Sequence, residues 1–406
     1  MDPDRRILRV ERPATGGESV GRDADGRATF VAGALPGELV EVEIVEAHPR
    51  FARGRLVELI EPAAERVTPP CPWIGTPTEP RCGGCDLQHA ALTTQRDMKL
   101  RVVADALERI GHVETPAMRT VELPAEGFRT SVRLAVADGR AGYRKRRSHD
   151  VVVPDDCLVA HPLVEEILVE GRFVGCDEVS IRVGARTGER LVELTPSKGE
   201  AGDRLEVSVP DDVVVVGPGR GRGLRRSGFI HELVGGRRWR ISSRSFFQSR
   251  PDGAEALIEV VRGDVARLAG TPERLADLYA GVGLFAGTVD AGSVVAVEWS
   301  RSSCADAEVN LGPAARVVRH PVDTWTPEAV DVVIADPARE GLGKRGVATI
   351  AGTGAGVVVL VSCDAGSLGR DAGALVRAGY TLDSVTLVDL FPHTHHVEAV
   401  TSYRRG

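Results

Sequence analysis

Apolar positions fall into three regimes along the chain. Between residues 7 and 60, short apolar runs alternate with turns: Ile7-Leu8-Arg9-Val10, Ala28-Thr29-Phe30-Val31, residues 38–44 and residues 56–60. That spacing, punctuated by Gly16-Gly17, Gly21, Gly26, Gly33 and Gly37, predicts a small β-barrel whose tight turns use glycine for positive φ. Pro69-Pro70-Cys71-Pro72 cannot be helical and closes the segment. After a cysteine-bearing loop, Met98, Val102, Val103, Leu107 and Ile110 recur at helical spacing and predict a helix over about residues 93–110. Residues 118–240 read as strands and turns, with helical periodicity only at 162–168. From Asp252 the pattern alternates. Leu257, Ile258, Val261, Val265 and Leu268 form a helical stripe, and apolar strands recur at 275–279, 293–297, 331–335 and 356–361. Strands alternating with helices predict a doubly wound, mostly parallel α/β sheet.

The division expected is residues 1–65 as an N-terminal barrel, 66–240 as a β-rich middle domain and 241–406 as the α/β domain. Composition agrees: 42% hydrophobic and 27% charged residues suit a globular chain, and aromatics at 4% leave the core to Val, Leu and Ala. A net charge of −7 means that any nucleic acid must bind through a local basic surface. With no signal-like N-terminus and no apolar run of about 18 residues, a cytoplasmic location without a membrane partner is expected.

In an open parallel sheet, chemistry gathers at the carboxyl ends of the strands. Here the first strand runs into Asp277-Leu278-Tyr279-Ala280-Gly281-Val282-Gly283, and the second ends at Glu298, where a carboxylate can accept ribose hydroxyls. Gly281, Gly283 and Ala286 also fit a dinucleotide fingerprint, which keeps a nicotinamide enzyme in view. Three further tips carry Asp323, Asp336-Pro337-Ala338-Arg339 and Ser362-Cys363-Asp364. A thiol beside an acid-Pro pair suits group transfer to a base better than hydride transfer.

Taken in order, these segments, together with Ser245-Phe246-Phe247-Gln248 and the tail Phe391-Pro392-His393-Thr394-His395-His396-Val397-Glu398, span most of the chain. They resemble the RNA uracil-C5 methyltransferases, which use S-adenosylmethionine and whose larger members carry a TRAM barrel and an iron–sulfur cluster. The resemblance implies a class I Rossmann-like methyltransferase domain preceded by a TRAM- or OB-like barrel and the middle domain. It implies that Gln248, Tyr279, Glu298 and Asp336 contact the methyl donor, with Asp277 and Gly281 in the same loop and Asp323 toward the adenine edge. Ala338 stands where the family usually has a second Pro.

Carbon 5 of uracil is a weak nucleophile, so a thiolate must first add to carbon 6 and a base must later remove the carbon-5 proton. Cys363 is the cysteine at a strand tip, and Glu398 is the base implied by the family-like tail. Seven cysteines in a cytosolic chain favour ligation or catalysis over disulfides. Cys82-Gly83-Gly84-Cys85, with Cys71 and Cys157, can supply four thiolates for a 4Fe-4S cluster or, second, a zinc ion. The insertion between Cys71 and Cys82 is longer than in cluster-bearing relatives. Cys176 and Cys304 read as ordinary buried cysteines.

Residues 143–147 contain four cations, and residues 219–244 contain eight Arg against Glu232 alone, which suggests an RNA phosphate face. The whole reading is an RNA uridine C5-methyltransferase acting on ribosomal RNA, with no obligate protein partner inferred. Transfer RNA uridine, RNA cytosine or a non-catalytic RNA-binding protein with a degenerate enzyme fold are the alternatives.

Overall fold

The computed structural model describes residues 4–76, 78–79, 81–197, 205–218 and 224–406. Arg220 and Arg222 of the basic stretch, and Met1 to Pro3, lie outside the described residues. The chain divides into two compact units: residues 1–105, 143–154 and 391–396 form one, and residues 106–142, 155–390 and 397–406 the other.

In the first unit, Arg5–Pro13, Glu18–Arg22, Ala28–Ala32, Leu39–Ala47 and Phe51–Glu61 form a closed barrel. Closure comes from antiparallel pairing of Arg5–Pro13 with Leu39–Ala47. Alternation decides what goes inside: Leu8, Val10, Val31, Val40, Val42 and Leu56 meet in one apolar core. Glu18–Arg22 escaped the sequence reading because four of its five residues are buried and it lacks an apolar-polar alternation. Gly21 shows why a side chain is missing there, since a Cβ would lie 2.3 Å from the Arg9 carbonyl oxygen. The same unit contains most of the predicted helix, Leu92–Ala106.

Among the described residues the second unit holds two large sheets and two two-stranded ones, Arg172–Val174 with Glu206–Ser208 and Phe229–Val234 with Arg237–Ser242. In the first, a mixed sheet orders Leu224–Arg225, Val213–Val216, Arg190–Pro196, Cys176–Val183, Ser131–Ala137 and Arg140–Arg144. The helix Pro162–Glu170 buries Val164, Ile167 and Leu168. In the second, eight strands run Arg316–Arg319, Ser293–Glu298, Arg274–Leu278, Val332–Ala335, Val357–Ser362, Ala399–Arg405, Tyr380–Val388 and Met118–Val121. The first five pair in parallel; Ala399–Arg405 then inserts antiparallel beside Val357–Ser362. Val357–Ser362 is buried at every position, as expected of a strand covered on both faces. Pro251–Ala269 buries four of the five residues of the predicted stripe, Leu257, Ile258, Val261 and Val265, and leaves Leu268 half-buried. The doubly wound α/β expectation is met.

After Ala106 the helical path loosens into a π-turn, Leu107–Gly111, packed against Ala365–Arg377. Gly111 and Gly373 allow that approach, because a Cβ on Gly373 would sit 2.5 Å from the Gly111 carbonyl oxygen.

Candidate functional site

The site is built where the parallel strands end. Arg274–Leu278 delivers Asp277, fully buried, whose Oδ2 accepts from the Ala286 amide at 2.8 Å while Oδ1 has no hydrogen-bond partner. Burial, with the nearby charges of Asp336 and Glu298, pushes its carboxyl up to about 8. The next residue but one, Tyr279, holds φ at 61°, a left-handed backbone that costs a non-glycine residue energy and marks a constrained turn. Burial and the neighbouring Asp323 and Asp371 carboxylates raise the Tyr279 phenol further above its ordinary value.

Glu298 ends Ser293–Glu298 and is already engaged. Its Oε2 accepts from the Gly281 amide at 3.0 Å, and its Oε1 accepts from Trp299 at 2.8 Å and Ser300 at 2.7 Å. A carboxylate offers about four lone-pair directions, so a ligand hydroxyl has the remaining one on Oε2. Glu298, Tyr279, Trp299, Pro321, Val322 and Asp323 line a cavity of about 280 Å³. Asp323 is not on the tip of a strand, as expected from sequence. Arg316–Arg319 ends earlier, and Asp323 sits in the 3-10 turn Val322–Thr324 that follows.

The second half of the site lies one and two strands away. Asp336 follows Val332–Ala335, and its Oδ2 accepts from the buried Gln248 amide at 3.4 Å. Cys363 follows Val357–Ser362 directly. The next residue, Asp364, caps Ala365–Arg377 by accepting from the Ser367 amide at 2.8 Å. Glu398 immediately precedes Ala399–Arg405 and is 4% exposed. Its carboxyl is raised well above the ordinary range by burial and by the charge of Asp336. Asp336 itself is pushed up to about 7 by burial. The Cys363 thiol is pushed up to about 12 by burial, then by Glu398 and Asp336, while the Arg339 guanidinium works in the opposite direction. Thiol, carboxyls and guanidinium thus form one electrostatic set.

Two residues outside the sequence-derived site join it. Trp299, 66% exposed beside Glu298, lines the cavity; its position right after a strand-tip acid was the available signal. Asp371, 2% exposed, accepts from the Leu342 amide at 2.7 Å and the Gly343 amide at 3.0 Å.

The remaining cysteine candidates divide between the two units. Cys71, Cys82 and Cys85 belong to the first unit and Cys157 to the second, and none of the seven cysteines forms a disulfide. Among the described residues no group of three or more His, Cys, Asp or Glu side chains is arranged to hold a metal ion. The loop has other uses: the Cys71 amide donates to Gln88 Oε1 at 3.1 Å, and the Asp86 and Leu87 amides donate to the His393 carbonyl at 2.9 and 3.0 Å. Asp86 also binds the His395 ring through Nδ1. Cys176 and Cys304 are buried, as expected.

The basic stretches are likewise partly committed. Arg238 pairs with Glu189 at 2.9 Å, Arg240 with Asp306 at 3.3 Å and Arg244 with Glu193 at 3.1 Å, while Arg237 binds the Gly287 and Asn310 carbonyls. In the first unit, Lys145 pairs with Asp150 and Arg147 with Glu18. These cations are engaged by partners within the fold, and Arg225 and Arg226 of the same stretch are exposed. Among the described residues no helix is long and apolar enough to cross a membrane.

Residues 6–57 match the TRAM domain family. An uncharacterized RNA methyltransferase of Streptomyces avermitilis is 35% identical, covering 95% of this chain and 95% of its own length. One from Streptomyces coelicolor is 35% identical over 95% of this chain and 90% of its own, and one from Corynebacterium efficiens is 33% identical over 99% and 95%. The solved Pyrococcus abyssi tRNA (uracil-54, C5)-methyltransferase in complex with S-adenosyl-L-homocysteine has the same fold. It gives a TM-score of 0.72 at 23% identity and covers 99% of this chain and 100% of that one.

Proposed function

The chain belongs to the TRAM-domain RNA methyltransferase family, and we propose that it methylates carbon 5 of a uridine in RNA with S-adenosylmethionine as donor. The observation that carries this reading is the set at the strand ends: Ser362 pairs with Ala399, which puts the Cys363 thiol and the buried Glu398 carboxyl side by side at the ends of neighbouring strands, with Asp336 at the end of Val332–Ala335 one strand away. A base-methylating enzyme that needed neither covalent activation nor a proton acceptor would have no task for that pair.

The donor supplies an electrophilic methyl on a positively charged sulfur. Around it, Glu298 offers its remaining lone pair to a ribose hydroxyl, Trp299 an aromatic face and Gln248 with Asp336 a polar edge. The flipped target base meets Cys363, which gives its thiol proton to solvent; the Sγ thiolate then bonds to carbon 6 while the C5=C6 electron pair moves onto carbon 5. Carbon 5 then takes the methyl, and the donor's sulfur keeps the electrons of the broken S–CH3 bond. Glu398 as carboxylate removes the carbon-5 proton; those electrons restore C5=C6 and expel the thiolate. Both Asp336 and Glu398 favour holding a proton in the ligand-free site. Arrival of a positive sulfur beside them lowers both, which readies Glu398 as a base when the donor is bound.

The proposed target is ribosomal RNA, on the likeness of barrel and Cys71-to-Cys85 loop to that branch of the family; no step runs through a metal. Denaturing gels with substrate RNA test the chemistry. Cys363→Ala should form no covalent adduct, and ordinary turnover by it would remove the nucleophile assignment. Mapping 5-methyluridine in ribosomal and transfer RNA, from cells with and without the protein, tests base and target together.

A further inference from the structure

We infer that Asp371 is a positioning residue for the nucleophile: its carboxylate clamps the loop that carries Arg339 beside Cys363. The inference rests on the covalent role proposed for Cys363 and adds a residue to it. The segment after Asp336 turns sharply, with the Gly341 amide donating to the Ala338 carbonyl at 2.8 Å. Ala338 does not fix φ as a second proline would, so the loop needs another restraint.

Asp371 supplies it. Both its oxygens accept backbone amides, from Leu342 at 2.7 Å and Gly343 at 3.0 Å. These are the residues that start the helix Gly343–Gly352, whose N-terminus has no cap from its own chain neighbours. A buried carboxylate on another helix therefore satisfies its first amide donors and faces the positive end of its dipole. The fit is close: Gly341 has φ 80°, and a Cβ there would lie 2.2 Å from Asp371 Oδ2. No side chain can stand between clamp and loop.

The helix that carries Asp371 is the one that follows Cys363. Asp364 caps Ala365–Arg377 immediately after the nucleophile, and Asp371, seven residues on, projects from the same face two turns later. One rigid element thus fixes the thiol at its start and the arginine loop at its second turn. The loop also meets the start of that helix, because a Cβ on Gly341 would lie 2.9 Å from Ser367 Cβ and the Ser367 amide is held by Asp364, the residue after Cys363. The charges acting on Cys363 are Glu398 and Asp336, which disfavour the thiolate, and Arg339, which favours it. Around Asp371 stand the two amides, Arg370 on its own helix, and Tyr279 across the site. Gly346 of the clamped helix continues the contact, since a Cβ there would lie 2.9 Å from the Tyr279 hydroxyl.

The test is the pH dependence of covalent adduct formation at saturating donor, read on denaturing gels, with donor affinity by calorimetry and folding by thermal melts alongside. Asp371→Asn places an N–H group opposite a backbone N–H and should move the midpoint for adduct formation up by about one pH unit, slowing it about tenfold at neutral pH. Arg339→Ala should do the same, Arg339→Lys should recover part of the loss, and the double variant should be no slower than either single one. Donor affinity should stay within about twofold of the wild type. If Asp371→Asn does not fold, Asp371→Glu keeps the charge, displaces it by one methylene and is expected to show the same upward midpoint shift. An unmoved midpoint in a folded variant, or losses that multiply in the double variant, would overturn the Asp371 assignment while leaving the covalent mechanism standing. Absence of an adduct in the wild-type protein would instead remove the mechanism on which it rests.

Discussion

Buried carboxylates are treated in opposite ways by the barrel and by the parallel sheet. In the barrel, Glu38 is fully buried and fully partnered: it accepts from Leu35 at 2.7 Å and Ala63 at 3.2 Å, and Arg66 reaches both oxygens at 2.6 and 2.7 Å. At the strand ends, Asp277, Asp336 and Glu398 are brought together, and among the described residues no Lys, Arg or His lies within ion-pair distance of any of them. Asp277 even keeps one oxygen without a partner. A buried charge without a counter-ion is costly, and a protein that solves the problem in one place can solve it in another. The sheet leaves it unsolved where a cationic methyl donor is proposed to bind. The first arrangement serves folding, and the second, on the function proposed, is held in reserve for a ligand.

The sharpest way to break this contrast is at Glu398. If its carboxylate is the base, Glu398→Gln should lower turnover by about 10²–10⁴-fold and accumulate a methylated, Cys363-linked RNA. Rapid release of the adduct would move the base elsewhere. The matching substitution in the barrel, Glu38→Gln, should leave the chemistry of folded protein alone and cost about 3 kcal/mol of stability, because Arg66 loses its counter-charge; denaturant melts would show it. Loss of donor affinity in that variant, with folding intact, would erase the distinction.

Smaller effects sharpen the comparison. Asp336 raises Glu398, so Asp336→Asn should move the acid limb of adduct resolution to lower pH by about one unit, measured at saturating donor. A shift to higher pH would show that the two carboxyls do not interact as described. Asp277 has its carboxyl raised from 3.8 to about 8. Between those values the folded chain holds a proton that the unfolded chain has released, so acid favours the folded form and stability falls as pH rises toward 8. Asp277→Asn removes that dependence: its melting temperature should exceed the wild type's by about 7 °C near pH 8.5 and match it near pH 4. Equal melting curves at both pH values would mean that burial does not raise the Asp277 carboxyl.

Much of this contrast was legible in the sequence, for physical reasons. Period-2 apolar runs gave the barrel, and alternating strands and helices gave the sheet, because each pattern buries one face or both. Strand ends then picked out Asp277, Glu298, Asp336 and Cys363 by topology alone. What stayed hidden depends on contacts between residues distant in sequence. Glu18–Arg22 is a strand by virtue of the backbone packed against Gly21. Asp371 caps a helix that begins twenty-eight residues earlier, which no local spacing reveals. Residues 143–154 and 391–396 join the first unit although their flanks belong to the second. The arginines from Arg237 to Arg244 looked like a phosphate surface, yet their carboxylate and carbonyl partners lie far along the chain. Cysteine spacing, finally, counts ligands but does not place them.

The claim that the strand-end carboxyls await a cation is tested most directly by proton release on binding. Calorimetric titrations of the protein at pH 7, in buffers of different ionisation enthalpy, should be run with S-adenosylmethionine and with S-adenosylhomocysteine, which differ in the charge on sulfur. Asp336 near 7 and a raised Glu398 predict that the positively charged donor expels protons and that the neutral product expels measurably fewer. Equal proton release by the two ligands, or none by either, would contradict the account.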